Sequence, residues 1–179
     1  MIRCFIAINL DEEIKKEILK IQNCLPDFSG KITELENLHL TLKFLGEIGD
    51  DKLKKIEKKL NEVCFERFSV NLNKIGFFSE KILRIIWMGA GEKDKGLFNL
   101  QKIIDDKMSE IGFLREERFM GHLTIARVKN VEDKKIFLQK LKEIKINSLE
   151  FDVDKFFLMK SELKSNRPIY TIIREFNLK

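Results

Sequence analysis

Two histidines, the only ones in the chain, sit in one repeated tetrapeptide: His39-Leu40-Thr41-Leu42 and His122-Leu123-Thr124-Ile125. The whole sequence holds four threonines, and two of them lie two places after a histidine. Side chains two apart on a β-strand point the same way. His39 and Thr41 are therefore expected on one face, with Leu38, Leu40, Leu42 and Phe44 on the other. His122 and Thr124 repeat the arrangement against Leu123 and Ile125. Each strand then anchors an aliphatic side in a core and displays an imidazole and a hydroxyl. Brought together across a cleft, the two displays supply a general base, a general acid and two neutral donors. Metal-free in-line displacement at a phosphodiester needs that set: a base on the attacking oxygen, an acid on the leaving oxygen, and hydrogen bonds to the oxygens that gain charge. Lys43 and Arg127 are nearby cations expected to add to the same field.

Other chemistries find less in these residues. A lone strand histidine is commonly packed or superficial, but duplication in a chain with no further histidine argues for a shared task. Two histidines are too few to hold zinc, and neither lies in an HExxH or cysteine-containing pattern. No GxSxG is present and no cysteine adjoins either motif, which disfavours a serine or cysteine nucleophile. Threonine in a strand also reflects β-propensity, though this chain uses the residue sparingly.

Periodicity supplies the elements that must position these groups. Residues 2–10 read as a buried strand and 11–23 as a helix with Ile14, Ile18, Ile21 and Leu25 in one stripe. A polar loop with Pro26 and Gly30 leads to the first motif strand at 38–46. Asp50 or Asp51 is expected to cap a lysine-rich helix carrying Leu53, Ile56, Leu60 and Val63. Strands at 68–77 and 84–89 follow, then a helix over 95–111 with Leu97, Leu100, Ile104 and Met108 inward and Gly112 as its stop. The second motif strand, 122–129, precedes a helix that starts near Asn130 or Asp133 and continues through Phe137, Leu141 and Ile144. Strands at 149–159 and 168–176 close the order.

The motifs stand 83 residues apart, and the same offset carries Phe68 to Phe151, Val70 to Val153, Arg84 to Arg167, Trp87 to Tyr170 and the first strand onto 85–91. An ordered series repeated at one interval signals an internal duplication, with approximate repeats 1–83 and 84–179 forming one catalytic domain. The expected fold is α+β and bilobal: two pseudo-two-fold-related lobes of mainly antiparallel sheet, helices outside, and the active-site groove between them. A doubly wound parallel sheet also alternates helices and strands. It is disfavoured because no glycine-rich turn follows the first strand and the paired strands read as hairpins.

Composition narrows the setting. A hydrophobic content of 44%, two prolines and 35% charged residues describe a folded chain. The formal charge of +5 and pI near 9.0 suit a polyanion such as RNA, or simply a solvated lysine surface. Cys4, Cys24 and Cys64 are odd in number and lack CxxC spacing, so they read as reduced, small buried side chains of a cytoplasmic protein. No apolar run approaches a membrane span, and the opening runs directly into Asp11-Glu12-Glu13, unlike a signal peptide.

With these residues in view, the chain resembles the two-histidine (2H) phosphoesterases, and within them the RNA 2′,3′-cyclic phosphodiesterases, also called 2′-5′ RNA ligases. The likeness spans nearly the whole sequence. It rests on the opening RCFIAINL, on LHLTLKFLGEI, on GHLTIARVK, and on Ser161, Leu163 and Tyr170 near the end. The resemblance implies hydrolysis of RNA 2′,3′-cyclic phosphate ends to 2′-phosphates with no metal or other cofactor, and the reverse 2′-5′ ligation. His39 would be the proton donor to the 3′-oxygen and His122 the acceptor of the water proton. Thr41, Thr124 and Arg127 would bind the phosphate. The implied partner is an RNA or oligonucleotide ending in a 2′,3′-cyclic phosphate, served by a monomer without membrane or protein partner. Strict alternation puts Arg127 on the face away from His122, so the strand is bulged, ends near Ala126, or lets the long side chain reach round. Phe44, which the offset pairs with Arg127, is expected in the core. Two competing readings are a phosphate- or RNA-binding module without turnover, and a 2H enzyme for a small cyclic nucleotide.

Overall fold

The computed structural model describes residues 1–91, 94–164 and 167–179. Its strands are β1 (Ile2–Asn9), β2 (Ser29–Ile32), β3 (His39–Ile48), β4 (Phe68–Phe77), β5 (Ile85–Ala90), β6 (His122–Asn130), β7 (Leu149–Val153), β8 (Lys155–Leu163) and β9 (Pro168–Asn177). Helices α1 (Glu12–Asn23), α2 (Asp50–Leu60), α3 (Lys95–Ser109) and α4 (Lys134–Glu143) lie between them, with a short 3-10 turn at Leu35–Asn37. The start signals work at two helices. Asp11 accepts from the Ile14 amide at 2.8 Å and Asp133 from the Ile136 amide at 2.9 Å, each satisfying an otherwise orphaned donor. At α2 the cap is Gly49, and Asp50 and Asp51 occupy the first turn, where their charge suits the helix dipole without a capping bond. Past α3 the chain reverses through Gly112 at φ 88°, a conformation that a side chain would strain.

All strand pairs are antiparallel, in the order β7-β4-β5-β6-β3-β1-β8-β9, with β2 added beside β6. The architecture is α+β, and the two lobes meet where β6 joins β3. Ile14, Ile18, Ile56, Leu60, Leu97, Leu100, Ile104 and Met108 pack from the helices onto one face of the sheet, forming the main core with Leu40, Leu42, Leu123 and Ile125. The other face carries a separate cluster of Phe5, Ala7, Phe157 and Met159 with Tyr170 against it. That second face is where the groove opens. Among the described residues, no helix is long and apolar enough to cross a membrane.

Beyond the α2 cap, the structure departs from the sequence reading in the strands and at the cysteines. Residues 149–159 form two strands: β7 pairs with β4 in one lobe and, after Asp154, β8 pairs with β1 in the other. Phe68 and Val70 thus lie directly opposite Val153 and Phe151 as strand partners, although the offset reads them as equivalents of Phe151 and Val153. The register of the first strand also differs. Asn9 faces His39 whereas Gly89 faces His122, a spacing of 80 residues, three fewer than the motif spacing. Residues 29–32 add the exposed strand β2 within the expected loop. Of the cysteines only Cys4 is buried, while Cys24, beside the end of α1, and Cys64, after α2, are exposed because the chain leaves the core there.

Candidate active site

Strands β3 and β6 touch through one pair, Leu40 opposite Leu123. One step to either side along that register sets His39 opposite Thr124 and Thr41 opposite His122. The leucines point into the core, so all four polar side chains share the groove face. The groove encloses about 380 Å³ and is lined by His39, Thr41, His122, Thr124 and Arg127, together with Phe44, Phe78, Lys31, Arg167 and Tyr170. A second recess of about 270 Å³ continues past His122 and is bounded by Glu116, Arg118, Phe119 and Met120. The four motif residues expected to meet do meet.

Both imidazoles are oriented alike. His39 Nδ1 lies 2.7 Å from the Asn37 carbonyl and His122 Nδ1 lies 2.9 Å from the Met120 carbonyl, each two residues earlier in the chain. A carbonyl only accepts, so Nδ1 must carry the proton. Nε2 is then left to take or give a proton in the groove. Asn37 is itself buried, and its side-chain amide donates to Glu34 at 3.3 Å and to the Pro168 carbonyl at 3.2 Å. The orienting carbonyl of His39 is thereby tied to the start of β9.

Bulges resolve the position of Arg127. The pairing of β5 with β6 skips Ile125, and the pairing of β1 with β3 skips Leu42. Each extra residue breaks the alternation, so two consecutive side chains turn inward: Ile125 and Ala126 on β6, Leu42 and Lys43 on β3. The next residue returns to the groove face. That residue is Arg127 on β6 and Phe44 on β3, both lining the groove. Phe44 is 70% exposed, which corrects its expected place in the core. Lys43 is also corrected: it is 4% exposed and paired with Asp105, and it borders the recess beyond His122 instead of lining the main groove.

The surroundings set the proton affinities. Burial pushes His39 down to about 4, reinforced by the positive charge of Arg127, and the Asn37 carbonyl only partly offsets this. Burial also lowers His122, but the Met120 carbonyl and the Glu116 carboxylate both pull it back up. The Phe5 ring centroid lies 4.9 Å from that of His39, and Tyr170 meets His39 edge-on at 5.1 Å. Phe78 meets His122 edge-on at 4.8 Å. Burial raises the Tyr170 hydroxyl above its usual value against the opposing charge of Arg127. Among the described residues, no group of three or more His, Cys, Asp or Glu is gathered to hold a metal.

Phe78, Glu116, Asn37, Lys31 and Arg167 were not singled out by sequence reasoning as site residues. Asn37 and Met120 carried a usable signal, since both stand two residues before a motif histidine. Phe78, Glu116 and Lys31 come from connections or short strands and have no periodic signature.

Comparison with known proteins agrees with this geometry. The chain matches the family described as "LigT like Phosphoesterase" over residues 8–87 and 90–170. It is 39% identical over 177 residues to the RNA 2′,3′-cyclic phosphodiesterase of Methanocaldococcus jannaschii, covering 97% of this chain and 99% of that one. It is 36% identical over 178 residues to the protein of the same name from Archaeoglobus fulgidus, with the same coverage. The crystal structure of E. coli LigT complexed with 3′-AMP superposes with a TM-score of 0.81 at 25% identity, over 99% of this chain and 98% of that one. The chain belongs to the LigT-like family of 2H phosphoesterases.

Proposed function

We propose that this protein hydrolyses RNA 2′,3′-cyclic phosphate ends to 2′-phosphates by acid–base catalysis between its two histidines, without a metal. His122 takes a proton from water as the water oxygen attacks phosphorus. The bond from phosphorus to the 3′-oxygen breaks, and His39 delivers a proton to that oxygen. Thr41, Thr124 and Arg127 hold the non-bridging oxygens as negative charge grows on them. Phe44, exposed at the groove edge, offers a face on which a nucleobase can stack. The carrying observation is that two imidazoles with fixed Nδ1 atoms share one groove, each across the strand junction from a threonine.

We read the protein as acting alone, as a cytoplasmic monomer, with residues 1–83 and 84–179 as approximate copies of one β-α-β-α-β unit. The matching bulges at Leu42 and Ile125 support that reading of the duplication. The recess beside His122 has room for a ribose hydroxyl in place of water, which favours the reverse 2′-5′ ligation as a second activity. The test is incubation with adenosine 2′,3′-cyclic phosphate in excess chelator, followed by separation of the two monophosphates. Adenosine 2′-phosphate is expected. Formation of the 3′-phosphate would overturn the leaving-oxygen assignment, and binding without turnover would favour the binding-module reading.

A further inference from the structure

We propose that Gln22 and Asp105 are positioning residues: two buried polar side chains, on α1 and α3, that hold the bulges of the motif strands and so keep Arg127 and Phe44 turned into the groove. The inference rests on the proposed function only for what those two groove residues bind.

Gln22 is 4% exposed and Asp105 6% exposed, and they stand one motif spacing apart in the chain. Each acts on the motif strand that its own helix does not precede. Helix α1 runs before β3, yet Gln22 Nε2 donates to the carbonyl of Ile125, the bulged residue of β6, at 2.9 Å. Helix α3 runs before β6, yet Asp105 receives the Nζ of Lys43, which follows the bulged residue of β3. Each also holds the segment approaching its own motif histidine. Gln22 Nε2 donates to the Thr33 carbonyl at 2.8 Å, and Asp105 accepts from the Glu116 amide at 3.0 Å. Thr33 and Glu116 both stand six residues before a motif histidine.

The need for such clamps follows from strand geometry. A bulge that closes or slides by one residue turns every later side chain to the opposite face. On β6 that would send Arg127 into the core. The Ile125 carbonyl is kept where it is by Gln22 and by the Thr33 amide at 3.0 Å. On β3 the same slip would bring Lys43 to the groove and bury Phe44, the arrangement that plain alternation predicts. A buried ammonium is tolerated only beside a counter-charge and acceptors. Asp105 and the Leu114 carbonyl, at 2.9 Å, provide them for Lys43 on the core side. Drawing Lys43 inward is what turns Phe44 outward.

The two clamps are separable by ligand. Binding of inorganic phosphate and of adenosine 2′-phosphate is measured by calorimetry on Gln22→Met, Arg127→Ala, their double variant, Asp105→Asn and Phe44→Ala. Gln22→Met is expected to weaken inorganic phosphate about tenfold, as Arg127→Ala does, with the double variant no weaker than either single one. Asp105→Asn is expected to keep inorganic phosphate binding at least as tight as in the wild type, because Lys43 moves towards the groove, and to weaken the nucleotide about tenfold, as Phe44→Ala does. Losses that multiply in the Gln22→Met/Arg127→Ala pair would overturn the proposal. So would unchanged ligand affinities in Gln22→Met and Asp105→Asn with only a lower melting temperature. If Gln22→Met does not fold, the Asp105→Asn pattern alone decides. Absence of turnover on the cyclic nucleotide, with these binding patterns intact, would count against the proposed activity and not against the clamps.

Discussion

His39 lies against the rings of Phe5 and Tyr170, whereas His122 meets Phe78 and the carboxylate of Glu116, and Arg127 opposes the charge on both. The local geometry is the same at both sites, down to the carbonyl two residues earlier that fixes Nδ1. Only the surroundings differ. Repeated strand structure therefore sets where each imidazole points, and the non-repeated neighbours set how tightly each holds a proton. In the free protein both rings hold a proton less tightly than an ordinary imidazole. His39, the proposed proton donor, is held near 4, so its protonation depends on an anionic phosphate that offsets the charge of Arg127.

The largest expected effect comes from deleting either ring. His39→Ala and His122→Ala should each lower kcat/KM on a 2′,3′-cyclic nucleotide by about 10²–10⁴, with circular dichroism unchanged. A loss confined to one of the two would break the comparison.

The next effect concerns protonation. Both histidines are shifted below 6.5, so the optimum of kcat/KM, which reports the free enzyme, should fall on the acid side of that value. The optimum of kcat, which reports the substrate-bound state, should lie higher because bound phosphate favours both imidazolium ions. Glu116→Gln removes a charge that raises His122. In an NMR titration it should move the His122 midpoint further down and leave that of His39 in place. Equal movement of both would mean that the two rings titrate as one coupled pair.

The smallest effect is on stability. A histidine held below its unfolded value contributes stability in full above about 6.5 and loses it as pH falls through about 4. Urea unfolding at pH 7 and pH 4 should show the wild type losing on the order of 3 kcal/mol more than a His39→Gln variant. His122, less shifted, should give the same sign and a smaller difference. A wild type that is equally stable at both values would contradict the buried, neutral state of His39.

The sequence revealed much of this because its signals were periodic. The helix stripes and the HxTx alternation each follow from spacing, and they place His39, Thr41, His122 and Thr124 correctly. Bulges have no such mark. Leu42-Lys43-Phe44 reads as ordinary strand, so alternation put Lys43 in the groove and Phe44 in the core; at Ile125-Ala126-Arg127 only the role that the family resemblance implies for Arg127 raised the possibility of a bulge. The buried partner that reverses Lys43 is Asp105, 62 residues away in sequence. Strand β2 was missed because Ser29–Ile32 is exposed throughout and has no apolar face to register. The split of 149–159 was hidden because alternating Leu149–Val153 and continuously apolar Phe156–Met159 both read as strand, and only the chain crossing at Asp154 separates them.

Replacing the leaving oxygen tests the division of labour between the two rings most directly. A 3′-deoxynucleoside 2′-(4-nitrophenyl phosphate), which lacks the neighbouring hydroxyl that would otherwise attack phosphorus, expels a phenolate that needs no proton, while attack by water still needs a base. With this ester in place of the cyclic one, the penalty for His39→Ala should shrink by about 10² or more, and that for His122→Ala should persist. If the His122→Ala penalty shrinks and the His39→Ala penalty remains, the roles assigned to the two histidines are reversed and the account is wrong.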